Sequence, residues 1–151
     1  MRSSPAAVDD DALRTARFLA EGMVRPDLVD IFDRYSAGDE SAIEEFRPLI
    51  DRVDPDVVWD STELGVPDVP DVVHGPAAVM EFFRSWLSAW SDFGWETSNY
   101  EVRGDNVIYD VHITARSRKT GLPLDQYVTH RMTIRDGKLV AWRLFVDRRD
   151  A

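Results

Sequence analysis

The spacing of apolar residues changes near Gly94, and this change limits the folds open to the chain. From Pro76 onward, apolar residues recur every three or four positions, which predicts a helix with an aromatic face comprising Val79, Phe82, Phe83, Trp86, Leu87 and Trp90. After Gly94, apolar and polar residues alternate in four segments separated by short turns, near 95–103, 106–116, 124–135 and 138–147. Four such strands predict an antiparallel meander.

The first half of the chain carries helical patterns and one short strand. We expect residues 1–10 to be a flexible tail and 12–23 to be a weakly amphipathic helix. A second helix begins at Pro26 and ends at Gly38, and Asp39 is expected to cap a third helix. A β-prone run at 56–60 precedes a Gly- and Pro-containing loop over 61–73.

Helices followed by a meander of strands predict an α+β fold. We expect a conical barrel, in which a curved, mainly antiparallel sheet wraps around the N-terminal helices and the long aromatic helix. The open end of such a cone could form a pocket. A chain of 151 residues fits one domain, with residues 1–24 as a tail and extra helix and 25–151 as the main body.

Composition removes several classes of function. The chain has 18 Lys and Arg against 28 Asp and Glu, a net charge of −10, which disfavours nucleic acid and anionic membranes as partners. It has no cysteine and only three scattered histidines, so we expect no metal and no cofactor. Its apolar runs are short and its N-terminus lacks a hydrophobic signal segment, so we expect a cytoplasmic protein.

Asp60 is the first candidate catalytic residue. It closes the first predicted strand, and if Val58 faces the interior, Asp60 shares that face and points into the cone. A carboxylate there could act as a general base whose pKa is raised by desolvation. The alternative is an Asp60 that caps a turn or faces solvent at the strand end.

His130 is the second candidate catalytic residue. Its strand face carries Val128, Met132 and Ile134, so we expect it to point inward. An inward histidine could donate a hydrogen bond to a developing oxyanion or act as an acid or base near neutral pH. The alternative is a structural histidine bonded to Asp60 or to the backbone.

The remaining candidates are wall residues. Phe82, Phe83, Trp86 and Trp90 are first of all core residues and, second, one wall of a pocket for a ring-bearing ligand. Val58, Val128 and Met132 are predicted to line the same cavity. His112 lies on a mixed strand face, so it belongs either to the pocket or to an outer, dimer-forming face. In the last strand, either Trp142 and Leu144 or Arg143 and Asp147 face the pocket.

Three strings resemble the SnoaL-like branch of the nuclear transport factor 2-like superfamily: FDRYSAGD at 32–39, DPDVVWD at 54–60, and TIRDGKLV at 133–140 followed by Trp142-Arg143. The resemblance covers about residues 25–148 and implies a cone with a deep, mostly apolar pocket, often dimeric through its outer sheet face. Asp60 resembles the catalytic aspartate of ketosteroid isomerases, and His130 their hydrogen-bond-donating aspartic acid. Ile31 stands where those enzymes have a tyrosine, and Leu144 where limonene epoxide hydrolases have an aspartate.

These observations lead to two functional hypotheses. In the first, the protein binds a small, largely apolar organic molecule and performs isomerase or cyclase chemistry without a cofactor. Asp60 would abstract a proton beside a carbonyl, and His130 would stabilise the enolate. In the second, the domain is a noncatalytic ligand-binding or dimerisation module. In both, apolar residues of the last strand favour a homodimer through the outer sheet face.

Overall fold

The computed structural model describes residues 5–22, 27–64 and 70–151. Within these ranges, four helices precede or interrupt a sheet of six strands. The helices are α1 (Pro5–Gly22), α2 (Leu28–Ser36), α3 (Glu40–Ile50) and α4 (Pro76–Ser88). The strands are β1 (Val53–Asp60), β2 (Val72–His74), β3 (Trp90–Arg103), β4 (Asn106–Ser117), β5 (Pro123–Arg135) and β6 (Lys138–Phe145).

The strands form one sheet in the order β2-β1-β6-β5-β4-β3. The predicted meander is confirmed, since β3, β4, β5 and β6 pair antiparallel with their neighbours, whereas β1 pairs parallel with β6. The α+β class is therefore confirmed. The sheet is not closed into a barrel: β2 and β3 form its two edges and, in the described part of the chain, do not pair with each other.

The helices pack against one face of this sheet, which we call the inner face. Helix α4 contacts β1 and β2, and α1 contacts the strands from β3 to β6. The Trp95 indole N–H donates to the carbonyl oxygen of Ala20 at 3.1 Å, which ties α1 to β3. The largest buried core side chains include Trp59, Trp142 and Phe83. None of the described helices combines the length and hydropathy needed to cross a membrane.

Local signals place most helix ends as expected. Gly38 has a φ of +82°, a conformation that glycine adopts without strain, and it follows the C-cap of α2. The Asp39 carboxylate accepts hydrogen bonds from the backbone N–H groups of Ser41 and Ala42, so the predicted N-cap of α3 is confirmed. Pro26, the predicted start of the second helix, lies outside the described residues.

Three predicted boundaries are wrong. Residues from Pro5 onward belong to α1, so the expected tail cannot extend to residue 10. Trp90 begins β3, although its four-residue spacing from Trp86 also fits a helix. The stretch expected to be a loop contains a 3₁₀ turn (Thr62–Leu64) and the short strand β2, in which Val72 pairs with Asp60 of β1. Residues 65–69 of that stretch lie outside the described residues.

A bulge near Gly94 shapes the start of β3. The pairing of β3 with β4 shifts between Ser91 and Gly94, and Asp92 has a φ of +52°. A Cβ atom on Gly94 would collide with the Thr114 hydroxyl, which lies directly opposite on β4. Glycine is therefore required where β3 turns its aromatic residues toward the inner face.

Replacing Gly94 by alanine tests this close approach. Gly94→Ala is expected to lower the free energy of unfolding by about 1–3 kcal/mol, as overpacked sites do. Urea denaturation of the double variant Gly94→Ala/Thr114→Ala should recover much of that loss. The matched control, Gly94→Ala/Thr114→Val, keeps a heavy atom in place of the hydroxyl and should remain destabilised. Equal stability of the two double variants would contradict the proposed collision.

Candidate functional site

A pocket of about 460 Å³ lies between α4 and the inner face of the sheet. This volume is in the range of sites that bind small organic molecules. Its walls are mostly aromatic and aliphatic side chains, and exposed Ser85, Ala89 and Gln126 mark its mouth. The described lining residues are Trp59, Leu64, Phe82, Phe83, Ser85, Trp86, Ala89, Trp90, Trp95, Ile113, Leu124, Gln126, His130 and Leu144.

Helix α4 supplies the predicted aromatic wall. Phe82, Phe83 and Trp86 all line the pocket. Val128 and Met132 do share the inner face with His130, but they are buried in the core and are not part of the lining. Phe82, Phe83 and Trp86 are therefore pocket-wall residues, whereas Val128 and Met132 belong to the core alone.

His130 lies where the pocket is deepest, with none of its surface exposed. It is enclosed by four aromatic rings, whose centroids lie 5.3 to 6.2 Å from the imidazole centroid: Trp59, Trp95, Tyr109 and Trp142. Its predicted inward direction is confirmed. The strand β5 places it there because alternate residues of a strand point to the same side of a sheet.

Hydrogen bonding assigns the proton on the His130 ring. The Trp142 indole N–H donates to Nδ1 of His130 at 2.8 Å, and the Tyr109 hydroxyl lies 3.2 Å from the same nitrogen. An indole nitrogen can only donate, so Nδ1 must be the unprotonated acceptor. The neutral ring therefore carries its proton on Nε2, which is buried and has no hydrogen-bond partner among the described protein groups.

Burial reinforces this neutral state. Desolvation lowers the pKa of His130 from 6.5 to about 3, because the low-polarity surroundings disfavour the imidazolium cation. At neutral pH the residue is a hydrogen-bond donor through Nε2 and carries no charge. It does not act as a charged acid at that pH.

Asp60 lies on the opposite face of the sheet, so the prediction that it points into the interior is wrong. Trp59 is the inward residue of β1, and Val58 and Asp60 alternate with it toward the outer face. The Asp60 carboxylate accepts from the Thr62 hydroxyl at 2.6 Å and from the Thr62 backbone N–H at 3.0 Å. It caps the 3₁₀ turn, which is the alternative that the sequence left open.

The charge state of Asp60 follows from these contacts. Partial burial raises its pKa, but the hydrogen bonds from Thr62 and the nearby Arg143 guanidinium outweigh this and lower the pKa below its usual value. Asp60 is therefore ionised at neutral pH. A base poised near neutrality would need the opposite shift, and the structure does not bring Asp60 and His130 together.

His112 also lies on the outer face, so the prediction that it lines the pocket is wrong, as it is for Val58. Its Nε2 atom is 2.7 Å from a carboxylate oxygen of Asp125, and its ring stacks on Tyr127 with centroids 4.2 Å apart. Tyr127 is its cross-strand partner and is 69% exposed. His112 is thus a surface residue of the sheet.

The structure settles the orientation of β6 and adds residues to the site. Trp142 and Leu144 face inward, whereas Arg143 pairs beside Asp60 on the outer face, and Asp147 caps the 3₁₀ turn Arg148–Asp150. The pocket residues that sequence analysis did not propose include Trp59, Trp95 and Gln126. Strand alternation from His130 could have found Gln126, which lies four positions before it.

The described lining holds no carboxylate. Among the described residues, no three His, Asp or Glu side chains converge closely enough to hold a metal ion. Ser85 and Gln126 at the mouth are exposed polar side chains, whereas the ring nitrogens of Trp59, Trp90 and His130 have almost no exposed surface.

The lowered pKa of His130 predicts a pH-dependent stability. The unfolded chain takes up a proton at His130 below pH 6.5, and the folded chain does so only near pH 3, so acidification favours unfolding in this window. Between pH 7 and pH 5 this residue should reduce the free energy of unfolding by about 2 kcal/mol. Urea denaturation of wild type and His130→Gln measures it, since other titrating groups cancel in the difference. If the difference in free energy of unfolding between wild type and His130→Gln stays constant between pH 7 and pH 5, the lowered pKa of His130 is refuted.

Comparison with known proteins gives a family and a fold. The sequence profile of the SnoaL-like domain family matches residues 28–142. No functionally curated protein matches the chain in sequence. A candidate SnoaL-like polyketide cyclase from Jannaschia sp. CCS1 superposes with a TM-score of 0.63 at 17% identity, over 96% of this chain and 90% of that one.

Two further solved structures share this fold but are named for other activities. A candidate isomerase from Bacillus subtilis superposes with a TM-score of 0.60 at 19% identity, over 89% of this chain and 85% of that one. A limonene-epoxide-hydrolase-like epoxide hydrolase from Mycobacterium tuberculosis superposes with a TM-score of 0.61 at 13% identity, over 94% of this chain and 86% of that one. Such low identities show the fold alone, and the fold hosts several reactions. The profile, however, spans the chain from α2 to β6, and on that match the protein belongs to the SnoaL-like domain family.

Proposed function

We propose that this protein binds a small, largely apolar, ring-bearing organic molecule in the pocket between α4 and the sheet. The pocket itself carries the proposal, because it has a volume of about 460 Å³ and a lining of mostly aromatic and aliphatic side chains. Ser85 and Gln126 at its mouth offer hydrogen-bonding groups to an occupant. The aromatic walls around it supply apolar area and flat surfaces for a ring.

The reactions named for the solved structures are not assigned to this chain, because sequence identities of 13 to 19% show only a shared fold. A cofactor-independent isomerase or cyclase is the second candidate, favoured by the fold that this chain shares with a candidate polyketide cyclase and a candidate isomerase. Such a reaction also needs a base beside the substrate. Asp60 is on the other face of the sheet, and the described lining holds no carboxylate. Binding is therefore the function that the described geometry supports best.

Blocking the pocket tests the binding proposal. Leu124 lines the pocket, whereas Leu122 is 65% exposed on the nearby turn. We expect Leu124→Trp to weaken binding of tetralin, an apolar bicyclic probe, by more than about tenfold, because the larger ring fills the space. Leu122→Trp and Asp60→Asn should leave binding unchanged.

Titration calorimetry or ligand-observed NMR measures these affinities. Equal loss of binding in Leu124→Trp and Leu122→Trp would place the probe outside the pocket. Failure of wild type to bind any bicyclic probe would refute the proposal.

We also propose a homodimer through the outer sheet face. Of the apolar residues of the last strand, Trp142 and Leu144 point inward, so they cannot form the interface. The outer face instead presents Tyr127, stacked on His112, and Phe145, over which the Arg131 guanidinium lies at 5.0 Å. Tyrosine and arginine of this kind are enriched in protein interfaces.

A charge at Tyr127 tests the dimer. Wild type is expected to sediment at micromolar concentration with twice the chain mass of 17.2 kDa. Tyr127→Asp should sediment as a monomer, because an unpaired carboxylate would be buried in the interface. Tyr127→Phe keeps the stacking ring and is the matched control. A wild-type protein that sediments as a 17.2 kDa species would refute the dimer.

A further inference from the structure

Gln126 places an exposed amide at the mouth of the pocket. It lies on the inner face of β5, two residues after Leu124 and opposite Ile113 of β4, and all three residues line the pocket. Unlike these two neighbours, Gln126 is exposed. Among the described residues, no group donates to its side-chain amide or accepts from it, so its N–H groups and its carbonyl oxygen are open to a ligand.

Ser85, the other exposed polar residue of the described lining, offers less to a ligand. Its hydroxyl donates to a carboxylate oxygen of Glu81 at 3.3 Å, so its hydrogen is already used. Gln126 is therefore the group at the mouth that can donate and accept at the same time, through one flat amide.

The rest of the pocket fixes the orientation of an occupant. Apart from His130, the other described lining residues are aromatic or aliphatic, and the nitrogens of His130, Trp59 and Trp90 are sealed from the surface. A polar group carried to the deep end would lose its hydration without gaining a partner. His130 and Gln126 are four residues apart on β5, about 13 Å of strand. A fused pair of rings therefore fills the apolar part and leaves a short polar head beside Gln126.

The surroundings of the mouth also decide the charge of that head. The described lining holds no carboxylate, lysine or arginine, so an ionised head would find no counter-ion there. The Glu81 carboxylate beside Ser85 repels an anionic head, and its ion pair with Arg84, at 3.7 Å, makes it less available to a cationic one. An uncharged head gains its hydrogen bonds without the cost of desolvating a charge.

We infer that Gln126 is the specificity-determining residue of the pocket and selects aromatic molecules with an uncharged carboxamide or lactam head. Such a head carries an N–H and a C=O side by side, which match the carbonyl oxygen and the N–H of the Gln126 amide. The two hydrogen bonds form at the mouth while the ring packs between the aromatic walls. This inference rests on the proposed binding function and deepens it by naming the class of ligand.

Gln126 is the only glutamine of the chain, so its side-chain NH₂ signal in a ¹⁵N spectrum is identified by its loss in Gln126→Leu. The probes share two rings: 2-naphthamide, 2-acetonaphthone with a methyl group in place of the NH₂, anionic 2-naphthoate, and tetralin without a head. Naphthamide should shift the Gln126 NH₂ signal downfield, because the amide gains an acceptor. The Asn99 amide already donates to Asp110 at 2.9 Å and is the internal control.

Titration calorimetry gives an independent readout. Leucine is close to glutamine in size but lacks the amide, so Gln126→Leu should lower the affinity for naphthamide relative to acetonaphthone by about fivefold. Binding of tetralin should change less than about twofold. Tyr127→Phe is the matched control, because it removes a polar group from the next residue of β5, on the outer face, and should leave all affinities unchanged.

The outcomes separate this inference from the proposed function. If naphthamide binds without moving the Gln126 signal, if Gln126→Leu leaves the affinity ratio unchanged, or if naphthoate binds wild type more tightly than naphthamide, the role of Gln126 is refuted and the pocket remains a binding site. If none of the probes binds wild type, the proposed function and the role of Gln126 are both refuted.

Discussion

The hydrogen bond from the Trp142 indole to His130 determines the chemistry of the pocket. It joins β6 to β5 across the inner face with 2.8 Å between the two nitrogens. Because the indole can only donate, the bond excludes the tautomer with a proton on Nδ1 and excludes the imidazolium as well. The ring is fixed as a neutral donor through Nε2, in agreement with a pKa lowered to about 3 by burial.

Keeping an unpartnered donor in the core is costly, and the surrounding aromatic packing offsets that cost. An unsatisfied buried N–H costs roughly 1–3 kcal/mol, a large part of the net stability of a small domain. Trp59 packs against Phe82, Phe83 and Trp142, with ring centroids 4.8 to 5.0 Å apart. Tilted and edge-to-face pairs of this kind contribute about 0.5–1.5 kcal/mol each beyond the burial of their area. The aromatic packing thus allows the unpartnered donor to persist in the core.

The sequence pattern correctly predicted which side chains of β5 point inward but failed to do so for β1. The residues of the two strands explain the difference. Around His130, the apolar residues Val128, Met132 and Ile134 alternate with the polar residues Thr129, Arg131 and Thr133, so only one face of the strand is apolar. In β1 the run Val57-Val58-Trp59 is apolar at three successive positions. Apolar residues therefore lie on both faces of this strand, and the sequence does not show which face is buried. Sequence could not show that Thr62 would hold the Asp60 carboxylate on the outer side. Nor could periodicity reveal β2, because three residues are too few to show it.

A shift of β1 by one residue is the only simple way to bring Asp60 into the pocket, and packing opposes it. Since side chains alternate, the same shift would turn Trp59 out to the surface. A buried tryptophan removes some 150–250 Å² from water, worth about 4–6 kcal/mol at 25 cal/mol per Å². The carboxylate would also lose both Thr62 hydrogen bonds and enter a lining of aromatic and aliphatic groups. These costs approach the whole stability of a small domain, so the groups already on the inner face determine what the pocket can recognise.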